Sequence, residues 1–166
     1  MISAETVTRV LDRMSAMSEE QAQAMVTRMS KEQPAALAYL LATSEDEAFE
    51  QDEGQVFFYI GVVVWQIMKL HPNGCNKITE TQLDRAVKVN EDLLEKMASD
   101  SAGDFLSAAQ SMIESYTEPE LLRYVTQALM EDEDGNPDNP PIRDESLGLA
   151  FLHLKIVMDA FVGKQV

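Results

Sequence analysis

An acidic loop towards the carboxyl end of the chain places oxygen ligands at alternating positions. The four side chains are Asp132, Asp134, Asn136 and Asp138. Calcium binds about six to eight oxygen atoms, and carboxylates at alternating positions of a loop can fold around one ion. The spacing therefore predicts a binding site for calcium or magnesium within residues 131–145.

The same loop departs from the EF-hand pattern in its second half. An EF-hand has Gly at position 6 and Glu at position 12. Counted from Asp132, Gly135 stands at position 4 and Arg143 at position 12, and Pro140 and Pro141 interrupt the segment between them. Two interpretations stay open: a weak, irregular divalent-cation site, or a solvated loop between helices whose carboxylates keep the surface soluble.

His71 and Cys75 are a close pair of soft metal ligands. Their spacing would place them on one face of a helix, but Pro72, Asn73 and Gly74 lie between them and favour a turn. A tetrahedral zinc site takes four ligands, so two fall short. We therefore expect a turn with an incidental buried thiol rather than a metal site.

Signatures of known catalytic sites are missing from the sequence. It contains no GxxxxGK[ST], GxGxxG, GxSxG or HExxH motif, and no ExxH pair of the kind that binds a di-iron centre. One candidate general base remains, His153, on the flank of the apolar face of the last predicted helix. An unrecognised enzyme site at the centre of the bundle could be built around His153, Tyr124 or Tyr59. The alternative is a partly buried histidine bonded to a carbonyl or carboxylate group.

The net charge limits the partners of the protein. Its 29 acidic residues against 13 basic ones give a formal charge of −16 at pH 7. Such a surface repels phosphate backbones and anionic lipid headgroups, so we expect neither nucleic acid nor a membrane as partner. The acids concentrate in residues 44–53 and 131–145, which together contain only one base, Arg143. A basic protein, attracted by charge, is the expected partner.

The expected compartment is the cytoplasm. A single cysteine, Cys75, excludes an intramolecular disulfide, and the first residues have neither the basic nor the apolar region of a secretory signal. The longest uncharged stretch, residues 54–68, is shorter than the roughly 20 apolar residues that span a bilayer.

Helices are the elements predicted to position these residues, because apolar side chains recur at helical spacing along most of the chain. Capping-box pairs and prolines predict helix starts at Ser18, Pro34, Ser44, Thr79 and Thr117. The fold class is therefore all-α: a single domain over residues 1–166, forming a compact helical bundle of about seven to eight helices.

Two predicted helices, residues 55–70 and 146–162, are apolar nearly all round and belong at the centre of the bundle. The first contains Val56–Trp65, which could be a strand by propensity. Because no second convincing strand exists for it to pair with, we predict a buried helix. Tyr59 and Trp65 are expected in the core, and core filling is also the expected role of the methionines, of which five fit core positions: Met14, Met25, Met29, Met112 and Met158. Asn90 falls in the apolar stripe of its helix, so it would need a partner, which could fix the helix register.

The order of elements repeats along the chain. In each half, a helix that starts with proline is followed by an acidic segment and then by a very apolar helix. Short segments also match: Leu11-Asp12-Arg13 recurs as Leu83-Asp84-Arg85, and Pro34–Leu40 resembles Pro119–Val125. Chance similarity and an internal duplication, with halves 1–72 and 79–163 paired by pseudo-twofold symmetry, both stay open.

Three functions are compatible with the sequence. The leading hypothesis is a non-enzymatic protein-interaction or adaptor module without a cofactor. The alternatives are weak calcium or magnesium binding through residues 131–145, and an enzyme with an unrecognised site at the centre of the bundle. The sequence does not determine the oligomeric state.

Overall fold

The computed structural model describes residues 1–97, 102–131 and 140–163, which form eight α-helices and no strand. The all-α helical bundle predicted from the sequence is thereby confirmed. None of the described helices is both long and apolar enough to cross a membrane. The helices are α1 (Ala4–Ser15), α2 (Glu19–Glu32), α3 (Pro34–Ser44), α4 (Gln51–Met68), α5 (Glu80–Met97), α6 (Ala102–Ser115), α7 (Pro119–Met130) and α8 (Asp144–Val162).

Local capping chemistry sets several of the helix starts. At α2, the Ser18 hydroxyl accepts the backbone N–H of Gln21, while the Gln21 side chain accepts the backbone N–H of Ser18. Thr79 and Gln82 form the same reciprocal pair at α5. Each box satisfies two backbone N–H groups that have no partner within the helix.

Two of the predicted helix starts are wrong. Ser44 ends α3 instead of opening a helix, because the buried Thr43 carries the apolar face of α3 to the end of the segment. The capping box of α4 is formed by Glu50 and Glu53. Thr117 does not cap α7 either, since that helix begins at Pro119 and has Glu118 as its N-cap.

The helices α4 and α8 pack on each other at the centre of the bundle, as their apolar composition predicts. Phe57 and Trp65 of α4 and Phe151 of α8 are almost fully buried. Val56–Trp65 is helical throughout. The expectation that Tyr59 lies in the core is wrong. Tyr59 is 47% exposed, because the amino-terminal half of α4 turns one face to solvent.

Two glycines of the central helices allow the backbone of another segment to approach closely. A Cβ atom on Gly54 would lie 2.2 Å from the carbonyl oxygen of Ser44, at the end of α3. A Cβ atom on Gly148 would lie 2.2 Å from the carbonyl oxygen of Met97, at the end of α5. Any larger residue would force these helix ends apart.

The two halves of the chain exchange hydrogen bonds at corresponding places. Gln33, just before α3, accepts the backbone N–H of Ile78, just before α5, at 3.0 Å. Glu118, just before α7, accepts the backbone N–H of Ile2, just before α1, at 2.7 Å. Gln33 and Glu118 are each 2% exposed. The helices cross in the same manner, with α1 packed on α7 and α3 packed on α5.

Buried positions correspond when α1 and α5 are counted from their capping residues, Ser3 and Thr79. The corresponding buried pairs are Val7 and Leu83, Val10 and Ala86, and Met14 and Asn90. Leu83 thus stands in the place of Val7, so the triplets Leu11-Asp12-Arg13 and Leu83-Asp84-Arg85 occupy different positions in their helices. This weakens that match as an argument for duplication.

The central helices correspond as well. When Gly54 is aligned with Gly148, Phe57 of α4 falls on Phe151 of α8, and both phenylalanines are fully buried. Together with the exchanged hydrogen bonds, this favours an internal duplication. The duplication of residues 1–72 and 79–163 stays a prediction.

Candidate functional site

The four predicted cation ligands, Asp132, Asp134, Asn136 and Asp138, lie outside the described residues. Calcium or magnesium binding by residues 131–145 therefore stays a prediction. Within residues 1–97, 102–131 and 140–163, no group of three or more His, Cys, Asp and Glu side chains is arranged to hold a metal ion.

His71 and Cys75 have different partners. His71 Nδ1 accepts the backbone N–H of Asn73 at 3.1 Å, so its proton belongs on Nε2, which lies 2.8 Å from a carboxylate oxygen of Glu118. The Cys75 sulfur lies 3.8 Å from Nε2 of Gln33. His71 thus ties the turn after α4 to the start of α7, a structural role.

His153 pairs with a tyrosine that the sequence did not indicate. Its Nδ1 lies 2.6 Å from the hydroxyl of Tyr39 on α3. Burial lowers the pKa of His153 and raises the pKa of Tyr39 to about 12. At neutral pH the phenol therefore donates to an uncharged imidazole. An enzymatic role for His153 stays a prediction.

Four polar side chains meet between α5, α8 and the end of α6, and we call them the polar cluster: Asn90, Tyr116, Lys155 and Asp159. One oxygen of Asp159 accepts from Asn90 and from Lys155, each at 2.9 Å, and the other accepts the Tyr116 hydroxyl at 2.6 Å. Lys155 also donates to the amide oxygen of Asn90 at 2.9 Å. Asn90 thus has the partner that its place in the apolar stripe requires, and its partners Asp159 and Lys155 are partly buried.

The surroundings of the Tyr116 hydroxyl keep its proton on the phenol oxygen. Burial raises the pKa of Tyr116, and the negative charge of Asp159 raises it further, so the phenol stays protonated and donates. The Lys155 ammonium lies 5.7 Å from the centre of the Tyr116 ring and neutralises the Asp159 carboxylate. A signal for this cluster was present in the sequence: Lys155 and Asp159 stand one turn apart on an otherwise apolar helix.

A pocket of about 340 Å³ opens beside the polar cluster, and we call it the α5–α8 pocket. One wall is a face of α5, and the other combines the residues after α6 with the carboxyl end of α8. Its lining includes Gln82, Arg85, Val89, Tyr116, Asp159 and Val162.

A larger depression of about 570 Å³ lies between the end of α3 and the start of α4, and we call it the acidic groove. Its lining includes Leu41, Ser44, Glu45, Phe49, Gln55 and Phe58. The segment 44–53, the first of the two acidic segments of the sequence, contributes half of the lining residues, with Glu45 as their one carboxylate. Five carboxylates of this segment are exposed: Glu45, Asp46, Glu47, Glu50 and Asp52.

The sixth carboxylate of the segment, Glu53, is buried and paired with Arg143, the N-cap of α8. It accepts the Arg143 backbone N–H at 2.7 Å and a guanidinium N–H at 2.9 Å. Burial alone would raise the pKa of Glu53, but the hydrogen bonds and charge of Arg143 hold it below its ordinary value. This pair joins the starts of α4 and α8 and thereby fixes one side of the acidic groove.

Comparison with known proteins gives no relative from which a function could be transferred. No protein-family model matches the chain, and no significant match is found among curated proteins or solved structures. The function must therefore be argued from the chemistry of these sites.

Proposed function

We propose that the protein is a non-enzymatic interaction module that binds a basic segment of a partner protein in the acidic groove. The observation that carries this proposal is a largely apolar depression that has Glu45 in its lining and adjoins a segment with four further exposed carboxylates. Exposed apolar patches with a polar rim are typical of interaction sites, and charge of one sign steers a partner of the opposite sign.

The floor of the acidic groove supports the proposal because it is apolar and rigid. Phe49 stacks on the buried Phe57, with ring centres 5.5 Å apart, so its ring is supported by the core. Leu41 stays 43% exposed, and Phe58 is partly buried beside it. A partner that covers these side chains gains apolar burial without having to order the groove first.

The five exposed carboxylates of the segment 44–53, which we call the rim, support a basic partner. Among the described residues they are unneutralised or only loosely paired, because Arg143 directs its short contacts to Glu53 and Glu145 and lies 3.6 Å from Glu50. Lysine or arginine side chains of a partner can pair with this rim while an apolar side chain between them enters the groove. Such binding weakens as salt screens the charges.

A synthetic amphipathic peptide of leucine and lysine, labelled with a fluorophore, tests the proposal by anisotropy. We expect saturable binding that weakens with salt and that falls about tenfold in Leu41→Ser, because an apolar contact worth about 1.4 kcal/mol or more is lost. Leu70→Ser is the matched control, since Leu70 is 41% exposed and lies outside the groove. The control should bind like the wild type.

A second pair of variants tests the role of the charged rim. Glu45→Gln with Glu47→Gln removes two carboxylates of the groove segment, and Glu19→Gln with Glu20→Gln removes two from the start of α2. We expect the first pair to slow association of the peptide far more than the second. Equal effects of both pairs, or equal binding of a leucine–glutamate peptide, would contradict the proposal.

A further inference from the structure

Two members of the polar cluster, Asn90 and Asp159, occupy positions at which the first half of the chain has apolar side chains. Counted from the caps of α1 and α5, Asn90 stands in the place of Met14, which is buried. Counted from Gly54 and Gly148, Asp159 stands in the place of Trp65, which is 1% exposed. The first half therefore accommodates large apolar residues at the corresponding places.

Stability alone gives little reason for this replacement. A buried ion pair with its hydrogen bonds contributes no more to stability than apolar side chains of similar volume, and often less. The polar cluster moreover adjoins the α5–α8 pocket, and its members Tyr116 and Asp159 line it. The combination of a partly buried polar network with an adjoining pocket points to a ligand.

Arg85 supplies the positive charge at the α5–α8 pocket. Both oxygens of Asp159 accept hydrogen bonds from donors within the polar cluster, and Lys155 pairs with the carboxylate. The side chain of Arg85 is exposed at the pocket and has no hydrogen bond or ion pair with any other described residue. At the far wall, the backbone N–H of Gly163 bonds to the carbonyl of Asp159 in the last turn of α8.

We propose that the α5–α8 pocket binds a small monocarboxylate with a short apolar body. The carboxylate pairs with the planar guanidinium of Arg85, which matches it with two parallel N–H donors. The apolar body lies along Val89 and Val162. A pocket of about 340 Å³ has the size of a small-ligand site. The net charge of −16 disfavours ligands with several negative charges.

Three probes with the same six-carbon body test the charge preference of the pocket: hexanoate, hexanol and hexylamine. Each is titrated into the full chain while its backbone amide signals are followed by NMR. We expect hexanoate to cause saturable shifts at Arg85, Val89 and Tyr116. Hexanol should bind the same residues about tenfold more weakly, because the charge-assisted pair with Arg85 is missing. Hexylamine should cause no saturable shift there.

Arg85→Gln tests the residue itself, and Arg9→Gln is the matched control. Arg9 stands at the corresponding position of α1, and both arginines are exposed, so both variants should keep the fold. Arg85→Gln should weaken hexanoate binding about tenfold, to the level of hexanol, while Arg9→Gln leaves it unchanged.

Three outcomes would overturn the proposal. These are the absence of saturable hexanoate shifts in the wild-type protein, tighter binding of hexylamine than of hexanoate, and an equal loss in Arg9→Gln and Arg85→Gln. The last would assign the effect to overall charge rather than to the pocket. None of them bears on the acidic groove, which lies on α3 and α4.

Discussion

Buried amide side chains in this protein differ in how far their hydrogen-bonding groups are satisfied. Gln33 uses both ends, because its oxygen accepts from the backbone of Ile78 and its nitrogen donates to the carbonyl of Asn76 at 2.9 Å. Gln66 accepts from Arg13 at 2.9 Å, but its amide nitrogen is buried with no partner among the described residues. An unpaired buried donor costs about 1–3 kcal/mol.

The same substitution should therefore have opposite effects at these two sites. Gln66→Met removes the unpaired donor and leaves Arg13, which is exposed, to water, so we expect the free energy of unfolding to stay constant or rise by up to about 1 kcal/mol. Gln33→Met leaves two backbone groups unpaired and should lower it by at least about 2 kcal/mol. Urea unfolding measures both, and a larger loss at Gln66 than at Gln33 would contradict this account.

The pair of Glu53 and Arg143 predicts how stability depends on pH. The pKa of Glu53 is lower in the folded protein than its ordinary value of 4.5, so the stabilisation is present above that value and is lost as pH falls through the folded pKa. Glu53→Gln should lower the urea midpoint at pH 7, and the difference from wild type should shrink towards pH 3. Glu45→Gln, at an exposed site, is the control and should show no comparable pH dependence. A difference that stays constant with pH would argue against the ion pair as its cause.

At the scale of the elements, most helix starts follow from local chemistry. Ser18 with Gln21 and Thr79 with Gln82 predict helix starts because each pair lies within one turn, and local spacing then fixes the geometry. Ser44 fails as a predicted start because a buried residue beside it, Thr43, keeps the segment in α3. That burial depends on distant parts of the chain, so the local pattern does not reveal it.

Close contact between helices at Gly148 predicts a large effect from a small substitution. Gly148→Ala places a Cβ atom against the carbonyl oxygen of Met97, which belongs to the backbone and cannot rotate away. We expect a loss of about 3 kcal/mol in the free energy of unfolding. Gly103→Ala is the control: no atom lies within 4 Å of its added Cβ, and alanine favours a helix by up to about 1 kcal/mol. Equal effects of the two variants in thermal unfolding would refute the contact.

On the scale of the whole molecule, the exchanged contacts of Gln33 and Glu118 couple the two halves. We therefore expect the chain to unfold as one cooperative unit. Hydrogen exchange should be slowest, and governed by global unfolding, for backbone amides of residues 57–67 in α4 and 150–161 in α8, which form the common centre. If the free energy of opening were clearly lower for the amides of residues 1–72 than for those of residues 79–163, the halves would open independently.

The sequence by itself determined the helical class, the two central apolar helices and the clustering of acidic residues. These properties depend on composition, on periodicity and on capping pairs a few residues apart, all of which are local. It also singled out Asn90 as a polar residue in an apolar stripe that needs a partner. It did not identify that partner, because spacing along a helix says nothing about which other helix lies opposite.

Only the tertiary structure decided which distant residues meet. It brings Asp159 and Lys155 to Asn90, Tyr39 to His153, and Arg143 to Glu53, and it opens Tyr59 to solvent. It also shapes the acidic groove and the α5–α8 pocket from elements that come together only when the bundle packs. The physical reason is that each of these contacts depends on how whole helices cross, which is set by the sum of all apolar burial in the core.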